Sequence, residues 1–261
     1  MSDQPIGKPH RGVRRGIYVL PALFTVGNIF CGYLSLDFAL KGSFATAAAL
    51  VFVAAFLDGI DGRVARMTRT TSAFGEQLDS LADVVSFGVA PSFLVYRWGL
   101  ASFDRLGLAV SFLFLVCGAC RLARFNVQVH VVDKRFFVGL PIPAAAGTLA
   151  GLIWALSESP AEEVKAAFLP VTVLLSFLMV STFRYRSFKD IDLRSRRSAL
   201  LVPLVGAVLA AILWRPPWAL GALLVGYALS APVTRRLALR PSSFPRRTSG
   251  PREKAPDPPS D

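Results

Sequence analysis

Long apolar blocks alternate with short polar segments along most of the chain. Eight blocks of 16 to 24 residues can be read: 17–40, 44–60, 77–97, 106–125, 137–157, 166–184, 199–214 and 218–234. Each is close to the ~20 residues with which a helix crosses ~30 Å of hydrocarbon. None shows the strict alternation of apolar and polar positions that a barrel strand would need. The pattern predicts an all-α polytopic membrane bundle of about eight transmembrane helices.

Basic residues are concentrated on one side of this predicted bundle. Of the 29 Lys and Arg residues, 24 fall before the first block, at or after the ends of the second, fourth and sixth blocks, or after the eighth block. The other side has five, Lys41, Arg97, Arg105, Lys165 and Arg215. By the positive-inside rule both termini are predicted to be cytoplasmic. A net charge of +12 would also suit a nucleic-acid-binding protein, but this distribution favours anionic lipid headgroups, and no nucleic-acid partner is predicted.

Four regions follow from these features. Residues 1–16 form a basic cytoplasmic segment, and residues 17–190 contain the first six blocks. Residues 199–234 add two further predicted transmembrane helices. The tail, 237–261, is basic and contains six prolines, and we predict that it is disordered.

Carboxylates inside or against apolar blocks are costly and therefore indicate function. Asp58 and Asp61 are three residues apart at the end of the second block, and Asp79 and Asp83 are four apart at the start of the third. Each pair projects from one face of its helix. A short loop joins the two helices, so they should run antiparallel as neighbours and bring four carboxylates together. Such a cluster suits hard divalent cations, and Mg²⁺ in particular suits carboxylates acting with substrate phosphates.

Glycine and arginine residues accompany the aspartates. Gly62 would let a phosphate approach the backbone, and Arg66, one turn further, can reach phosphate oxygens. Gly75 lies four residues before Asp79, at the start of the third block. Taken singly, the glycines can also be loop residues and the arginine a marker of the cytoplasmic side. Neither alternative explains the aspartates beside them.

The spacing of this stretch resembles the signature of the CDP-alcohol phosphatidyltransferases at every fixed position. The matching residues are Asp58-x-x-Asp61-Gly62-x-x-Ala65-Arg66, followed after eight residues by Gly75-x-x-x-Asp79-x-x-x-Asp83. The resemblance implies that Asp58, Asp61 and Asp79 bind two divalent metal ions, Mg²⁺ or Mn²⁺. It also implies that Asp83 contacts a metal and acts as general base. A homodimer with a six-helix core within residues 17–190 is the expected architecture.

The same resemblance implies contacts with the donor, CDP-diacylglycerol, from Gly62, Arg66, Ser72 and Gly75. Asn28 lies inside the first block, where contact with the donor and an interhelical hydrogen bond are both open interpretations.

Four further stretches are similar to membrane-bound phosphatidylserine synthases of bacteria and archaea. They are LPALFTVGNIFCGYLS (20–35), LDSLADVVSFGVAPS (78–92), CRLARFNV (120–127) and GLPIPAAAG (139–147). This similarity implies transfer of a phosphatidyl group to L-serine, with release of CMP, at a cell membrane and on its cytoplasmic side. Arg121, Arg124 and Asn126 are the candidate contacts for the acceptor, although the arginines also fit the positive-inside pattern.

Two alternatives remain open from the sequence. The acceptor can be glycerol 3-phosphate, inositol phosphate or choline, with the chemistry unchanged. A more remote alternative is a cation-coupled transporter that uses the aspartates as its coupling site. Transporters place such sites near the middle of the bilayer, between broken helices, whereas these aspartates lie at the cytoplasmic end.

Overall fold

The computed structural model describes residues 12–68, 72–128, 136–157, 161–186 and 198–238. Its helices are α1 (Gly12–Leu40), α2 (Phe44–Thr68), α3 (Ala73–Asp83), α4 (Ala90–Trp98), α5 (Asp104–Gln128), α6 (Ile142–Leu156), α7 (Glu162–Val180), α8 (Ser198–Trp214) and α9 (Pro216–Ala238). A π-helical turn, Val84–Val89, joins α3 to α4, and a 3₁₀ turn, Leu100–Phe103, precedes α5. Most of the predicted basic segment, 1–11, and of the predicted disordered tail, 239–261, lies outside the described residues.

Apolar and polar side chains are distributed as in a protein that spans a lipid bilayer. Large apolar side chains are exposed around the outside, among them Leu23, Phe30, Phe56, Phe112 and Phe177. Polar side chains such as Asn28, Ser35, Ser86, Thr172 and Ser176 are buried inside. In a bilayer, apolar groups can face the solvent, while polar groups are best satisfied between helices.

Five helical segments within the described ranges are long and apolar enough to cross a membrane: Ala22–Leu40, Phe44–Val64, Ala73–Trp98, Leu100–Val127 and Glu162–Val180. α6 is shorter, and α8 and α9 occupy the positions of the last two predicted spans. The prediction of a helical, multi-pass membrane protein is therefore confirmed. The count of eight spans and the cytoplasmic location of the termini stay predictions.

α1 occupies the centre of the half of the bundle that carries the aspartates. It packs along α2 and also contacts α3, the π turn and α4. At Gly32 a Cβ atom would lie 2.6 Å from Ser86 Oγ and 2.9 Å from Ser86 Cα, so only glycine fits this crossing without a shift. Ser86 Oγ also donates a hydrogen bond to Asn28 O, at 2.9 Å. These contacts hold α1 against the segment that follows Asp83.

A short antiparallel ladder corrects the predicted boundaries of the fifth and sixth spans. β1 (Phe136–Val138) pairs with β2 (Arg184–Arg186), so the all-α prediction holds except for these two strands. The apolar run at 137 therefore starts as a strand, and the fifth span begins only at Ile142. Pro141 is the N-cap of α6, and another proline lies in its first turn, where the missing N–H has no helical partner to lose.

Gly139 makes the turn between β1 and α6. Its φ of 82° lies in the left-handed region that favours glycine. Its N–H donates a hydrogen bond to Phe183 O, at 2.8 Å, and Leu140 N donates to Leu178 O, at 3.0 Å. The turn thus joins the start of α6 to the end of α7.

The last two helices belong to the same bundle. α9 packs on α6, and α8 packs on α9. A Cβ atom on Gly151 would lie 2.9 Å from Gly221 Cα, and one on Gly147 would lie 2.7 Å from Leu224 Cδ1. Small residues at such a crossing allow two helix backbones to approach closely.

Candidate active site

The four predicted aspartates lie on two helices that share α1 as a neighbour. Asp58 and Asp61 are on α2, and Asp79 and Asp83 are on α3. The sequence predicts α2 and α3 as direct neighbours, but α2 packs chiefly on α1 and α6, whereas α3 packs on α1 and the π turn. The two pairs of carboxylates therefore face each other from two helices that both pack on α1. We call these four residues the aspartate cluster.

Within the aspartate cluster, three carboxylates converge on one point. One oxygen from each of Asp58, Asp61 and Asp79 lies within 4.8 Å of the other two. The Asp58 carboxylate is also within hydrogen-bonding range of Asp79 and Asp83. The predicted convergence is confirmed for the first three residues, while Asp83 lies beside them, against Asp58. Negative charges this close repel each other strongly unless a proton or a cation lies between them.

Two buried oxygens favour a cation in the aspartate cluster. Asp79 Oδ1 and Asp83 Oδ1 have no hydrogen-bond partner among the residues that the structure describes. Leaving a buried polar atom without a partner costs about 1–3 kcal/mol, and more for a charged group. Hard divalent cations take oxygen ligands of this kind. The donor set therefore fits a metal ion.

Thr25 on α1 supports the aspartate cluster and was not among the predicted residues. Its Oγ1 donates a hydrogen bond to Asp61 Oδ2, at 3.1 Å, and the Asp61 residue is only 4% exposed. The sequence does contain a signal: Thr25, Asn28 and Ser35 fall on one face of an otherwise apolar helix. The periodicity of α1 does not indicate what this polar face contacts, because its partner Asp61 lies on another helix.

Asn28 is completely buried, one turn after Thr25. Its side-chain atoms Oδ1 and Nδ2 have no hydrogen-bond partner in the described part of the chain. Its backbone carbonyl accepts the hydrogen bond from Ser86. The interhelical hydrogen bond that the sequence left open is thus made by the backbone of Asn28 and not by its amide.

The start of α3 is capped by a residue from the predicted donor site. Ser72 is the N-cap, and its Oγ accepts a hydrogen bond from Gly75 N, at 3.0 Å. A Cβ atom on Gly75 would lie 3.2 Å from that oxygen, so glycine suits this tight cap. Both residues thus have a structural role at this end of α3. Gly62 is partly buried in α2, and the side chain of Arg66 lies outside the described residues.

Arg121 on α5 is the predicted acceptor residue that the structure brings to the aspartate cluster. It is 7% exposed and interacts electrostatically with Asp83. Its guanidinium lies 5.2 Å from the ring centroid of Phe125. Its Nε has no hydrogen-bond partner, and no described carboxylate forms an ion pair with it. A buried cation with unused hydrogen-bonding capacity therefore lies next to Asp83.

Arg124 and Asn126 contact other helices. Arg124 Nη1 donates to Val180 O, at 3.0 Å, and Nη2 donates to Ser181 O, at 3.2 Å, so this guanidinium caps the carboxyl end of α7. Asn126 Nδ2 donates to Ser80 Oγ, at 2.9 Å, and joins α5 to α3. Both predicted residues thus have protein partners in addition to any role with a substrate.

Comparison with known proteins places the sequence of this chain in a described family. Residues 18–178 match the family described as CDP-alcohol phosphatidyltransferase. A CDP-diacylglycerol–serine O-phosphatidyltransferase of Helicobacter pylori (strain ATCC 700392 / 26695) is 46% identical over 180 residues, which cover 67% of this chain and 75% of the relative. The protein of the same name from Mycobacterium tuberculosis (strain ATCC 25618 / H37Rv) is 35% identical over 241 residues, covering 88% and 83%. An archaetidylserine synthase of Methanothermobacter thermautotrophicus is 39% identical over 168 residues, covering 64% and 69%.

Proposed function

Because this chain belongs to the CDP-alcohol phosphatidyltransferase family, we propose that it transfers the phosphatidyl group of CDP-diacylglycerol to the hydroxyl of L-serine. The products are phosphatidylserine and CMP. The observation that carries the chemistry is the convergence of Asp58, Asp61 and Asp79 at the spacing of the family signature. The names of the bacterial relatives favour serine among the possible acceptors.

In this proposal the aspartate cluster holds two divalent metal ions, Mg²⁺ or Mn²⁺. When bound, the ions stabilise the negative charge that develops on the pyrophosphate as its bond breaks. The protein keeps the ligands in place, since Thr25 holds the Asp61 carboxylate and Ser72 caps the helix that carries Asp79. The residues that contact CDP-diacylglycerol are Gly62, Arg66, Ser72, Gly75 and Asn28. For Asn28, the buried amide without a protein partner supports this assignment.

Asp83 acts as the general base. It takes the proton from the serine hydroxyl, whose oxygen forms a bond to the phosphorus on the lipid side of the pyrophosphate. The bond between that phosphorus and the CMP oxygen breaks, and CMP leaves with the electron pair. The position of Asp83 beside the three converging carboxylates, with a buried Oδ1, supports a role distinct from theirs.

Arg121 binds the carboxylate of serine in this proposal. A guanidinium can bind a carboxylate through two parallel hydrogen bonds, and burial strengthens the pairing. Its place next to Asp83 would set the serine hydroxyl near the base. Arg124 and Asn126, further along α5, are assigned secondary contacts with the acceptor.

The acceptor is tested with purified protein, labelled CDP-diacylglycerol and a panel of L-serine, glycerol 3-phosphate, inositol phosphate and choline. We expect labelled phosphatidylserine from serine alone, and none from Asp58→Asn protein run in parallel. A product from another acceptor in place of serine would keep the chemistry of the family and refute serine as the substrate.

We further propose a cytoplasmic-membrane homodimer of eight-span chains, with both termini and the aspartate cluster on the cytoplasmic side. The concentration of 24 of the 29 basic residues on that side supports this orientation. A cytoplasmic site also suits L-serine and CMP, which are soluble in the cytoplasm.

Cysteine labelling tests this orientation. Met67 and Ala161 are exposed beyond opposite ends of two predicted spans. In a protein without Cys31, Cys117 and Cys120, Ala161→Cys should react with an impermeant maleimide on intact cells. Met67→Cys should react only after the membrane is opened. Reaction of both positions on intact cells would require a different number of spans.

A further inference from the structure

Asp61 is the most deeply buried of the three converging carboxylates of the aspartate cluster. The residue is 4% exposed, whereas Asp58 and Asp79 are only partly buried. Its Oδ2 atom accepts a hydrogen bond from Thr25 Oγ1 on α1, at 3.1 Å, and Thr25 is itself 5% exposed. Because both residues are shielded from bulk water, this hydrogen bond restrains the direction of the Asp61 carboxylate.

The hydroxyl of Thr25 reaches a side chain on another helix, which is not the usual arrangement in this bundle. The hydroxyls of Thr148 in α6 and Thr172 in α7 each donate to a backbone carbonyl of their own helix, at 2.7 Å. A threonine hydroxyl can thus be satisfied within one helix. The contact between Thr25 and Asp61 is therefore best explained by its effect on the carboxylate.

A second hydroxyl on α1 contacts α2 at a place away from the aspartate cluster. Ser35 Oγ donates a hydrogen bond to Ala47 O, at 2.8 Å, and Ser35 is completely buried. Ser35 lies about 15 Å further along α1 than Thr25, at 1.5 Å per residue. Both hydroxyls join the same two helices, but only that of Thr25 contacts a carboxylate of the cluster.

The hydrogen bond from Thr25 favours binding of a cation through a single oxygen of Asp61. Asp61 contributes one oxygen to the point where the three carboxylates converge. A cation bound through both oxygens would have to share Oδ2 with the hydroxyl that donates to it. Mg²⁺ demands a near-octahedral set of ligands, and the two oxygens of one carboxylate are too close together to fill two corners of an octahedron well. Ca²⁺ takes about six to eight oxygens and binds carboxylates through one oxygen or both.

We propose that Thr25 is a positioning residue that raises the preference of the aspartate cluster for Mg²⁺ relative to Ca²⁺, by restricting Asp61 to one oxygen for the ion. This inference rests on the proposed function, since it concerns the metal site of that reaction. It adds a residue of α1 to a site whose predicted ligands all lie on α2 and α3. Loss of the hydroxyl should weaken binding of Mg²⁺ much more than binding of Ca²⁺.

The test is metal binding by detergent-solubilised Thr25→Val protein, which keeps the branched shape of the side chain and lacks the hydroxyl. Mg²⁺ or Ca²⁺ displaces bound Mn²⁺, and electron paramagnetic resonance detects the Mn²⁺ released, so no turnover is needed. We expect the Kd for Mg²⁺ to rise at least about tenfold, the usual cost of losing a group that orients a metal ligand. The Kd for Ca²⁺ should change by less than about threefold, because Ca²⁺ accommodates varied carboxylate geometry.

Two variants are the controls. Thr25→Ser restores a hydroxyl and should recover the wild-type ratio of the two Kd values. Ser35→Ala removes the matched hydrogen bond between α1 and α2, so it should lower the melting temperature and leave both Kd values within about twofold. If Ser35→Ala changed the ratio as much as Thr25→Val did, looser packing of the two helices would be the cause, and the inference would be overturned.

The outcomes separate this inference from the proposed function. An unchanged ratio of the two Kd values in folded Thr25→Val protein would overturn the inference and leave the metal site in place. An equal loss of affinity for both ions would also overturn it, because Thr25 would then stabilise the cluster without selecting between ions. Thr25→Ala, which also lacks the hydroxyl, gives the same comparison if the valine variant does not fold. If the wild-type protein bound neither ion, the metal-assisted reaction of the proposed function would fail as well.

Discussion

Removing divalent ions from the purified protein should abolish phosphatidyl transfer, with a loss of at least about a thousandfold in turnover. The reason is the convergence of Asp58, Asp61 and Asp79 within 4.8 Å. Without cations, these carboxylates would repel both one another and the pyrophosphate of the donor. The measurement is CMP release from CDP-diacylglycerol and L-serine after dialysis against a chelator. Elemental analysis of the same samples gives the metal content of each chain.

Adding Mg²⁺ or Mn²⁺ back is the control for damage to the protein, and it should restore turnover. Binding of the nucleotide moiety should return in the same titration, because the aspartates and the donor share the ions. Turnover that persisted in protein shown to contain no metal would rule out the assignment of the aspartate cluster as a metal site.

Replacing Asp83 should separate proton abstraction from metal binding. Asp83→Asn keeps the size of the side chain and one oxygen but cannot act as a base. Turnover should fall by roughly 10²–10⁴, the usual cost of losing a general base. Binding of CDP-diacylglycerol should stay within about tenfold, or about 1.4 kcal/mol, because the three converging carboxylates remain. Equilibrium binding and single-turnover rates on one preparation measure both quantities.

Two further variants serve as controls for Asp83→Asn. Asp58→Asn removes a central member of the aspartate cluster and should weaken metal and nucleotide binding together with turnover. Glu76→Gln neutralises an exposed carboxylate in the first turn of α3, outside the cluster, and should leave turnover within about twofold. If Asp83→Asn lost nucleotide binding as completely as Asp58→Asn, or kept near-normal turnover, the assignment of Asp83 as the base would be wrong.

The sequence predicted the parts of the site that depend on helical periodicity. Spacings of three and four residues place Asp58 with Asp61, and Asp79 with Asp83, on single helix faces, and the structure keeps both pairs. Apolar block length likewise predicted most of the helices. The aspartates meet although α2 and α3 share few backbone contacts, because α1 lies against both.

Contacts between segments that are far apart in the sequence could not be predicted from helical periodicity. Thr25 reaches Asp61 across 36 residues of sequence, and the Tyr185 hydroxyl donates a hydrogen bond to Ala228 O across 43 residues. Neither pairing follows from the periodicity of one helix. The strand at 136–138 was missed for another reason, since a three-residue apolar strand before a helix has the same composition as the start of that helix.

The π turn between Asp83 and α4 sets the direction in which the aspartates point. A π turn holds one more residue than an α turn, so the rotation between the two flanking helices differs by about 100° from that in a regular α-helix of the same number of residues. Ser86, Phe87 and Gly88 of this turn are buried, and α4 beyond it packs into the core. A regular α-helix over all six residues of Val84–Val89 would turn Asp79 and Asp83 by about 100° relative to the face that α4 buries. The π turn therefore lets α4 pack into the core while both aspartates stay directed towards Asp58.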